Sequence, residues 1–407
     1  MKEEISKFNE NELIEEVIES LDISKSDYDR AVESYKAVGS YLESRLGSNV
    51  NIYPQGSFMY GTVTRPYYKG KDAEYDIDLV CKYEPLPDSA VACKTICGNA
   101  LKSSKRYLGM LKRKEGRRCW TLEYSEIDDV DFHIDILPSK HAPRECIQEL
   151  VEKGVPIKYA KFALKITTKK DDGSYRWDDS NPKGYKAWLD DVTSLYIRDE
   201  RMICKDSVES VPNHTERKTQ VHRVIQILKR HRDVRFDHAE MSDIKPISMI
   251  ITTLVTKVAE RNPNKSISVF DLLQMVISSF ETVKTLCESY MRYDAFEESF
   301  IKRRNNGEWE IINPVDPNEN FADKWHENGS ERAKAFFIWT DWLKQDLISP
   351  LLSNDSITAF PSLSKGLGRD SVQRVYEKMK LPVTMPTLTI ITKEDTKNMP
   401  KPWRAND

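Results

Sequence analysis

The sequence predicts a protein of two lobes, in which a lobe of strands and helices precedes a lobe built of helices. Its 407 residues, of which 39% are hydrophobic, are enough to bury two cores. Between residues 50 and 137, strand-like apolar runs alternate with helical stretches, which favours an α/β or α+β lobe. From about residue 215, apolar residues recur at helical spacing, as at Val221, Val224, Ile225 and Leu228.

The elements of the first lobe follow from local patterns. Residues 10–46 carry apolar residues at near-helical spacing and are predicted to be mostly helical. Residues 50–53 are predicted to be extended, followed by a turn at 54–56 and a short helix within 57–62. We expect a polar loop over 69–74, strands over 75–83, 119–124 and 130–137, and a basic helix over 89–113.

The second half of the chain is predicted to be mainly helical. A polar loop over 169–182 precedes a short helix over 185–189, and longer helices follow over 247–259, 269–290 and 330–347. The segment 313–320 interrupts them, and the chain after Met379 has the composition of a loosely held tail. We therefore divide the chain into a first lobe with an N-terminal helix (1–205), a helical lobe (206–355) and a C-terminal segment with a tail (356–407).

Composition argues against several classes of protein. The formal net charge of −3 does not suit a protein that coats nucleic acid, because such binding neutralises many phosphates. No apolar run approaches the ~20 residues of a membrane span, and the first residues are polar, so we expect a cytoplasmic protein. Seven cysteines in a long chain do not indicate a disulfide framework, and Cys93 and Cys97 alone are a weak zinc signal. Small anionic substrates fit this balance better than a polymer.

Two carboxylates on one predicted strand are the strongest chemical signal. Because side chains alternate along a strand, Asp76 and Asp78 point to one face while Ile77 and Leu79 point to the other. An isolated Asp-x-Asp is often solvated, but these apolar neighbours indicate a buried strand, where an unpaired carboxylate is costly. Two such carboxylates repel each other unless a cation lies between them, and Mg²⁺ accepts carboxylates together with substrate phosphates. The pair therefore predicts a divalent-metal site.

A third carboxylate is expected from the strand 130–137. Asp131, His133 and Asp135 share one face of this strand, and Asp135 lies deepest between isoleucines, where it would cost most if unpaired. Asp131 is the alternative, whereas Asp128 and Asp129 lie at a solvated end. His133 could act as a base, although a partly buried structural histidine is the default interpretation.

The turn upstream of the acid pair can bind phosphate. Gly56 and Ser57 can offer backbone N–H groups and a hydroxyl to an anion. Three carboxylates suit phosphoryl transfer, in which two metal ions about 3.5–4 Å apart hold a triphosphate and activate a hydroxyl. Asp76 and Asp78 would bridge both ions, and Asp135 would complete the ion at the acceptor 3′-hydroxyl. These residues together indicate nucleotidyl-transfer chemistry.

Lys229 lies at the rim of the apolar stripe in the helical half, where its long side chain can reach a cleft. It belongs to a basic run, and a basic face is usually just solvated, so we expect most of this run to lie in solvent. The other members of the run are Arg217, Lys218, Arg223, Arg230, Arg232 and Arg235.

At these residues the sequence resembles the CD-NTase family, the bacterial cGAS/DncV-like nucleotidyltransferases of the polymerase-β superfamily. The matching segments, which span about residues 50–350, are 54–62 with Gln55, Gly56 and Ser57, 76–78, 133–138 with Asp135, 180–185 with Asn181, 228–233 with Lys229, 246–248 with Ser248, and 313–320. The Gly-Ser turn and the three acids alone would fit the whole superfamily, and the matches in the helical half narrow the resemblance to this family.

The resemblance implies an α+β polymerase-β-type lobe with a mixed sheet, an α-helical lobe, and an active site in the cleft between them. It implies that Asp76, Asp78 and Asp135 bind two Mg²⁺ (or Mn²⁺) ions and act in catalysis. It further implies nucleotide binding by Gln55, Gly56, Ser57, Asn181, Lys229 and Ser248. The zinc insert of the animal cyclic GMP-AMP synthase is not recognisable in the sequence.

The implied function is synthesis of a cyclic di- or trinucleotide second messenger from nucleoside triphosphates, in bacterial anti-phage signalling of the CBASS type. Adenine is the base expected from family frequency. The expected partners are nucleoside triphosphates, with room for a regulatory protein, and neither a membrane nor a broad nucleic-acid surface is expected. The alternatives are a template-independent linear nucleotidyltransferase and a catalytically silent nucleotide-binding member of the fold.

Overall fold

The computed structural model describes residues 7–47, 50–65, 67–72, 75–84, 87–127, 130–197, 218–288 and 299–383. A six-stranded mixed sheet lies in the first half, with strand order β1-β4-β6-β7-β8 and β5 beside β6. Its strands are β1 (Val50–Gln55), β4 (Tyr75–Tyr83), β5 (Trp120–Ile127), β6 (Val130–His141), β7 (Leu164–Lys169) and β8 (Tyr175–Ser180). A small hairpin of β2 (Tyr67–Tyr68) and β3 (Lys71–Asp72) precedes β4.

One face of this sheet is apolar because every second residue of its strands is hydrophobic. Ile77 and Leu79 of β4 and Ile134 and Ile136 of β6 are almost fully buried there. They pack against helices that cover this face, which are α2 (Lys25–Leu46), α4 (Ala90–Lys102) and α5 (Lys105–Met110). The opposite face carries a smaller cluster that includes Tyr53, Val80 and Leu137.

The second half of the chain is helical, as predicted. Its core is continuous with α1 (Glu10–Ser20), so the first helix packs with this half and not with the sheet. The other helices that contribute to this core are α6 (Arg144–Glu152), α7 (Ile157–Ala160), α8 (Pro182–Ser194), α9 (Gln220–His238), α10 (Ser248–Arg261), α11 (Val269–Glu288), α12 (Glu331–Leu343), α13 (Ser349–Ser353), α14 (Ser356–Leu367) and α15 (Arg369–Met379). One π-helical stretch, Lys344–Ile348, joins α12 to α13.

Short strands complete the second half. Hairpins form between β9 (Lys302–Arg303) and β10 (Trp309–Glu310) and between β11 (Ile312–Asn313) and β12 (Asp316–Asn320). The predicted interruption over 313–320 is therefore a hairpin. In the part of the chain that the structure describes, no helix has the length and apolar character that crossing a membrane requires.

Several predicted elements are wrong in detail. The loop over 169–182 is mostly the β7–β8 hairpin, whose second strand is polar because it lies at the sheet edge with no strand beyond it. The loop over 69–74 includes β3, and the turn over 54–56 begins inside β1, since Pro54 and Gln55 pair with β4. The basic helix over 89–113 is two helices, because Ser104 caps a new helix by accepting a hydrogen bond from the Tyr107 N–H.

The C-terminal segment after residue 355 contributes two helices to the helical core. Helices α14 and α15 bury Phe360, Leu363 and Tyr376 in the helical core, and α14 packs directly on α9. The expected tail beyond residue 383 lies outside the described residues. The domain boundaries given above stay a prediction. The packing described here groups residues 10–20, 144–160, 182–194 and 356–379 with the helical half.

Candidate active site

The strand register brings the predicted acids together. Strands β4 and β6 are parallel, and Asp78 lies directly opposite Asp135 while Asp76 lies opposite His133. Residues opposite each other in a sheet point to the same face, so the three carboxylates share the face that carries Val80 and Leu137. The sequence-based choice of strand face is confirmed.

The surroundings of Asp78 strongly disfavour its charged form. Its burial, followed by the nearby Asp135 and Asp76 carboxylates, raises its pKa from 3.8 to about 7. Burial disfavours the charged form, and a neighbouring negative charge adds to that cost. The metal-free site therefore holds more negative charge than it can keep without a proton or a cation.

Asp76 lies at the outer end of the same face. Its side chain is 70% exposed, and partial burial and then Asp135 raise its pKa. His133 partly offsets this effect, with its Nδ1 atom 3.7 Å from Asp76 Oδ1. His133 thus lies on β6 between Asp76 of β4 and Glu123 of β5.

Gly56 allows the Gly-Ser turn to approach Asp78. It has a left-handed φ of 65°, and a Cβ atom at this position would overlap Asp78 Oδ2. Gln55, the last residue of β1, lies opposite Asp78, and Ser57 is in the first turn of α3 (Gly56–Met59). The predicted turn residues therefore adjoin the acid pair, and glycine is required at position 56 for steric reasons.

Asp135 is held by a residue that the sequence interpretation missed. Thr121 lies opposite Asp135 on β5, and its hydroxyl donates a hydrogen bond to Asp135 Oδ1. The signal available in the sequence was the alternation of residues 120–124, which places Thr121 on the face opposite Trp120 and Leu122. The side chain of Asp131, the alternative third ligand, lies outside what the structure describes, as do residues 128 and 129.

Lys229 on α9 faces the same region from the helical half. It is 7% exposed, and its Nζ atom donates a hydrogen bond of 3.0 Å to the Thr62 carbonyl oxygen, just after the Gly-Ser turn. Burial and then Arg232 lower its pKa to about 8, while Asp233 and Asp78 oppose that shift. A lysine with this pKa is still mostly protonated at neutral pH, and a bound anion would hold it in the charged form.

The other described residues of the basic run are not solvated as predicted, and Arg217 lies outside the described residues. Arg230 is 2% exposed and donates hydrogen bonds to the carbonyl oxygens of Leu367 and Arg65, with its guanidinium over the Tyr67 ring. Arg232 and Arg235 are also buried. These side chains are buried because carbonyl and carboxylate oxygens from distant parts of the chain surround α9, which the sequence pattern does not reveal.

Ser248 and Asn181 have clear partners within the protein. Ser248 begins α10, and its Oγ atom accepts a hydrogen bond from Arg232 Nη1 at 3.0 Å. Asn181 caps α8 by accepting from the Gly184 N–H, and its amide nitrogen donates to the carbonyl oxygens of Tyr159 and Val315. Asn181 thus has a structural role here, and its contact with nucleotide stays a prediction.

The chemistry of the donor set fits a hard divalent cation. Carboxylate oxygens are the ligands that Mg²⁺ prefers, and the raised pKa of Asp78 marks a site that a cation would stabilise. Within the described residues, no group of three acidic, histidine or cysteine side chains is already arranged around a common metal position.

Comparisons with known proteins give one relative in sequence and several in structure. No protein-family model matches the chain. A protein of Roseivirga ehrenbergii named c-di-GMP synthase is 27% identical over 316 residues, covering 75% of this chain and 70% of that protein.

Solved structures share the fold. The CD-NTase CdnG of Bradyrhizobium diazoefficiens, solved in complex with GTP, superposes with a TM-score of 0.62 and 20% identity, covering 91% of this chain and 99% of that one. The DncV cyclic AMP-GMP synthase of Vibrio cholerae, solved with a linear intermediate, gives a TM-score of 0.50 and 14% identity, covering 90% and 88%. The chain therefore shares the fold of these CD-NTases, and its acid register and Gly-Ser turn lie in the segments that resemble that family.

Proposed function

We propose that this protein joins nucleoside triphosphates into a cyclic dinucleotide or trinucleotide second messenger, which acts in bacterial anti-phage signalling of the CBASS type. The observation that carries the proposal is the placement of Asp78 against Gly56 and Asp135, with Lys229 facing them from the helical half. This arrangement provides an anionic metal site and a cation on two sides of one cleft, as transfer between triphosphates requires. Cytoplasmic location is part of the same proposal.

In this proposal, the 3′-hydroxyl of one nucleotide attacks the α-phosphate of another, and pyrophosphate leaves. Asp76, Asp78 and Asp135 would hold the Mg²⁺ or Mn²⁺ ions, which supply Lewis-acid charge to the triphosphate and activate the hydroxyl. The Thr121 hydroxyl fixes the orientation of Asp135, which would accept the proton of the attacking 3′-hydroxyl. A second attack by the remaining 3′-hydroxyl closes the ring.

Lys229 and Ser248 would bind the β- and γ-phosphates and the departing pyrophosphate. Negative charge accumulates on the leaving group, so a buried lysine opposite the acids stabilises it more than a solvated one would. Ser248 already accepts a hydrogen bond from Arg232, so its own proton remains for donation to a phosphate oxygen. Gln55 and Ser57 would contact the same triphosphate from the other side.

We propose GTP as a substrate in place of the adenine nucleotide expected from family frequency. The c-di-GMP synthase relative and the GTP complex of the CdnG structure support guanine at one or both positions. The expectation of adenine stays a prediction that the same experiment tests.

The test is product analysis by mass spectrometry after incubation with all four nucleoside triphosphates and Mg²⁺. We expect a cyclic product that contains guanine, and no product from Asp76→Ala or Asp78→Ala protein. A purely linear product would favour the template-independent transferase. Failure of folded wild-type protein to release pyrophosphate from any nucleoside triphosphate would contradict the proposal and favour a silent nucleotide-binding protein.

A further inference from the structure

A lysine that the site described so far does not use lies on the same face of the sheet. Leu111 forms a β-bridge with Leu122, and the Lys112 N–H donates a 2.9 Å hydrogen bond to the Thr121 carbonyl oxygen, so residues 111–112 extend the sheet beyond β5. Leu111 packs into the core on the helix-covered face. Because side chains alternate, Lys112 emerges on the face that carries the acids.

The pairing places Lys112 at the end of one row that crosses the sheet. From one edge to the other this row contains Gln55, Asp78, Asp135, Thr121 and Lys112. Strands lie about 4.8 Å apart, so the backbone of Lys112 lies roughly 10 Å from that of Asp135, within reach of a ligand bound over Thr121.

The two ends of the row are expected to bind different nucleotides in the proposed reaction. The Gly-Ser turn adjoins its Gln55 end, and Lys229 bonds to the carbonyl oxygen of Thr62, close to the same turn. The donor triphosphate is therefore expected at that end. The attacking nucleotide then extends past Asp135 toward Thr121 and Lys112.

The side chain of Lys112 is available to an anionic ligand. It is 55% exposed and 3.8 Å from Glu123, which is 51% exposed, and such exposed, loose ion pairs contribute little and are easily exchanged. Glu123 lies opposite His133, which lies opposite Asp76, so Lys112 adjoins the next row of the site as well. Consistent with this proximity, the charge of Lys112 partly opposes the rise in the pKa of Asp76 that burial and Asp135 cause.

The surrounding segment is strongly basic. Its exposed basic side chains outside α4 and α5 are Lys112, Arg113, Lys114, Arg117 and Arg118. This concentration of positive charge contrasts with the net charge of −3 of the whole chain. It would attract an anion to this side of the sheet.

We propose that Lys112 binds the 5′-phosphates of the acceptor nucleotide, the one whose 3′-hydroxyl attacks. In the first transfer step both nucleotides carry triphosphates, and their mutual repulsion requires cations at both ends of the row. Lys112 would leave Glu123 and bind the acceptor phosphates, while Lys229 serves the donor. This inference rests on the proposed function and deepens it by assigning a second phosphate site.

The test separates the acceptor from the donor. The donor is 3′-deoxy-GTP, which has no attacking hydroxyl, and the acceptor is either GTP or guanosine, which lacks phosphates; linear products are quantified by chromatography. We expect Lys112→Ala to raise the KM for acceptor GTP about tenfold, the loss expected for a charge-assisted hydrogen bond, and to leave transfer to guanosine unchanged. Lys112→Arg should retain most of the affinity for acceptor GTP.

Two further variants serve as controls. Lys105→Ala removes an exposed lysine from α5, which packs on the helix-covered face, and should change neither acceptor. Glu123→Gln should leave the KM for acceptor GTP unchanged or lower it, since it releases Lys112. Equal losses with GTP and guanosine, or no loss with either, would overturn the assignment of Lys112. Absence of transfer to both acceptors by the wild-type protein would instead contradict the proposed function.

Discussion

Replacing Asp78 with asparagine is expected to abolish nucleotide transfer and, in the absence of metal, to stabilise the fold at neutral pH. The activity is lost because the variant lacks a charged metal ligand that adjoins the Gly-Ser turn. The folded state becomes more stable because burial disfavours the charged form of Asp78, and the Asp135 and Asp76 carboxylates repel it.

The size of the stability effect follows from the pKa. A folded pKa of about 7 against an ordinary value of 3.8 means that the folded state binds more protons than the unfolded state between these values. Stability therefore falls as the pH rises through this window. A difference of about 3 pKa units corresponds to at most about 4 kcal/mol at 1.36 kcal/mol per unit. Because neighbouring carboxylates share the proton, we expect about 2 kcal/mol, or a rise in Tm of roughly 4 °C above pH 7.

The assay is thermal unfolding of wild-type and Asp78→Asn protein in EDTA at pH 4 and pH 8, repeated with Mg²⁺ at pH 8. The two proteins should melt together at pH 4, where Asp78 is largely protonated, and the variant should melt higher at pH 8. Mg²⁺ should raise the Tm of the wild type more than that of the variant. A variant that melts at or below the wild-type temperature at pH 8 in EDTA would refute the carboxylate repulsion.

Three further substitutions test other parts of the site. Gly56→Ala should fold but lose most activity, because its Cβ displaces the carboxylate that the turn adjoins, and kcat measured beside circular dichroism checks this. Lys229→Ala should lose about 10²–10³-fold in kcat/KM with only a small loss of stability, since it leaves one carbonyl oxygen unpaired but also removes a buried charge. Arg230→Ala should unfold more easily, by about 3 kcal/mol in urea, because it leaves two carbonyl oxygens unpaired. Asp135→Asn should abolish product while Asp131→Asn only weakens it, and the reverse order in a product assay would move the third ligand upstream.

The acid cluster could be predicted from the sequence because strand alternation is a local property. Residues two apart on a strand share a face whatever the rest of the chain does, so Asp76, Asp78 and Asp135 were assigned to the correct face of their strands. Thr121 needed the pairing of β5 with β6, which alternation alone does not give. The position of Lys112 depends on the bridge between Leu111 and Leu122, which the sequence pattern does not reveal.

The environment of the basic run could not be predicted because it depends on distant partners. Arg230 is buried by carbonyl oxygens 165 and 137 positions away in the chain, at Arg65 and Leu367. A local pattern of arginines is the same whether a helix faces water or a polar interior. The β7–β8 hairpin was missed for a related reason, since an exposed edge strand has little apolar alternation to recognise.

The hydrogen bonds of Arg230 have a consequence for how the chain tolerates change. This side chain ties the carbonyl oxygen of Leu367, at the end of α14, to the segment just after the Gly-Ser turn, and it neighbours Lys229 on the same helix. Gly368 lies so close to Arg230 Nη2 that a Cβ there would approach to 3.0 Å, and its φ of 91° suits glycine. A protein shortened at residue 355 would thus lose a support of the catalytic helix, although the segment removed carries none of the recognised motifs.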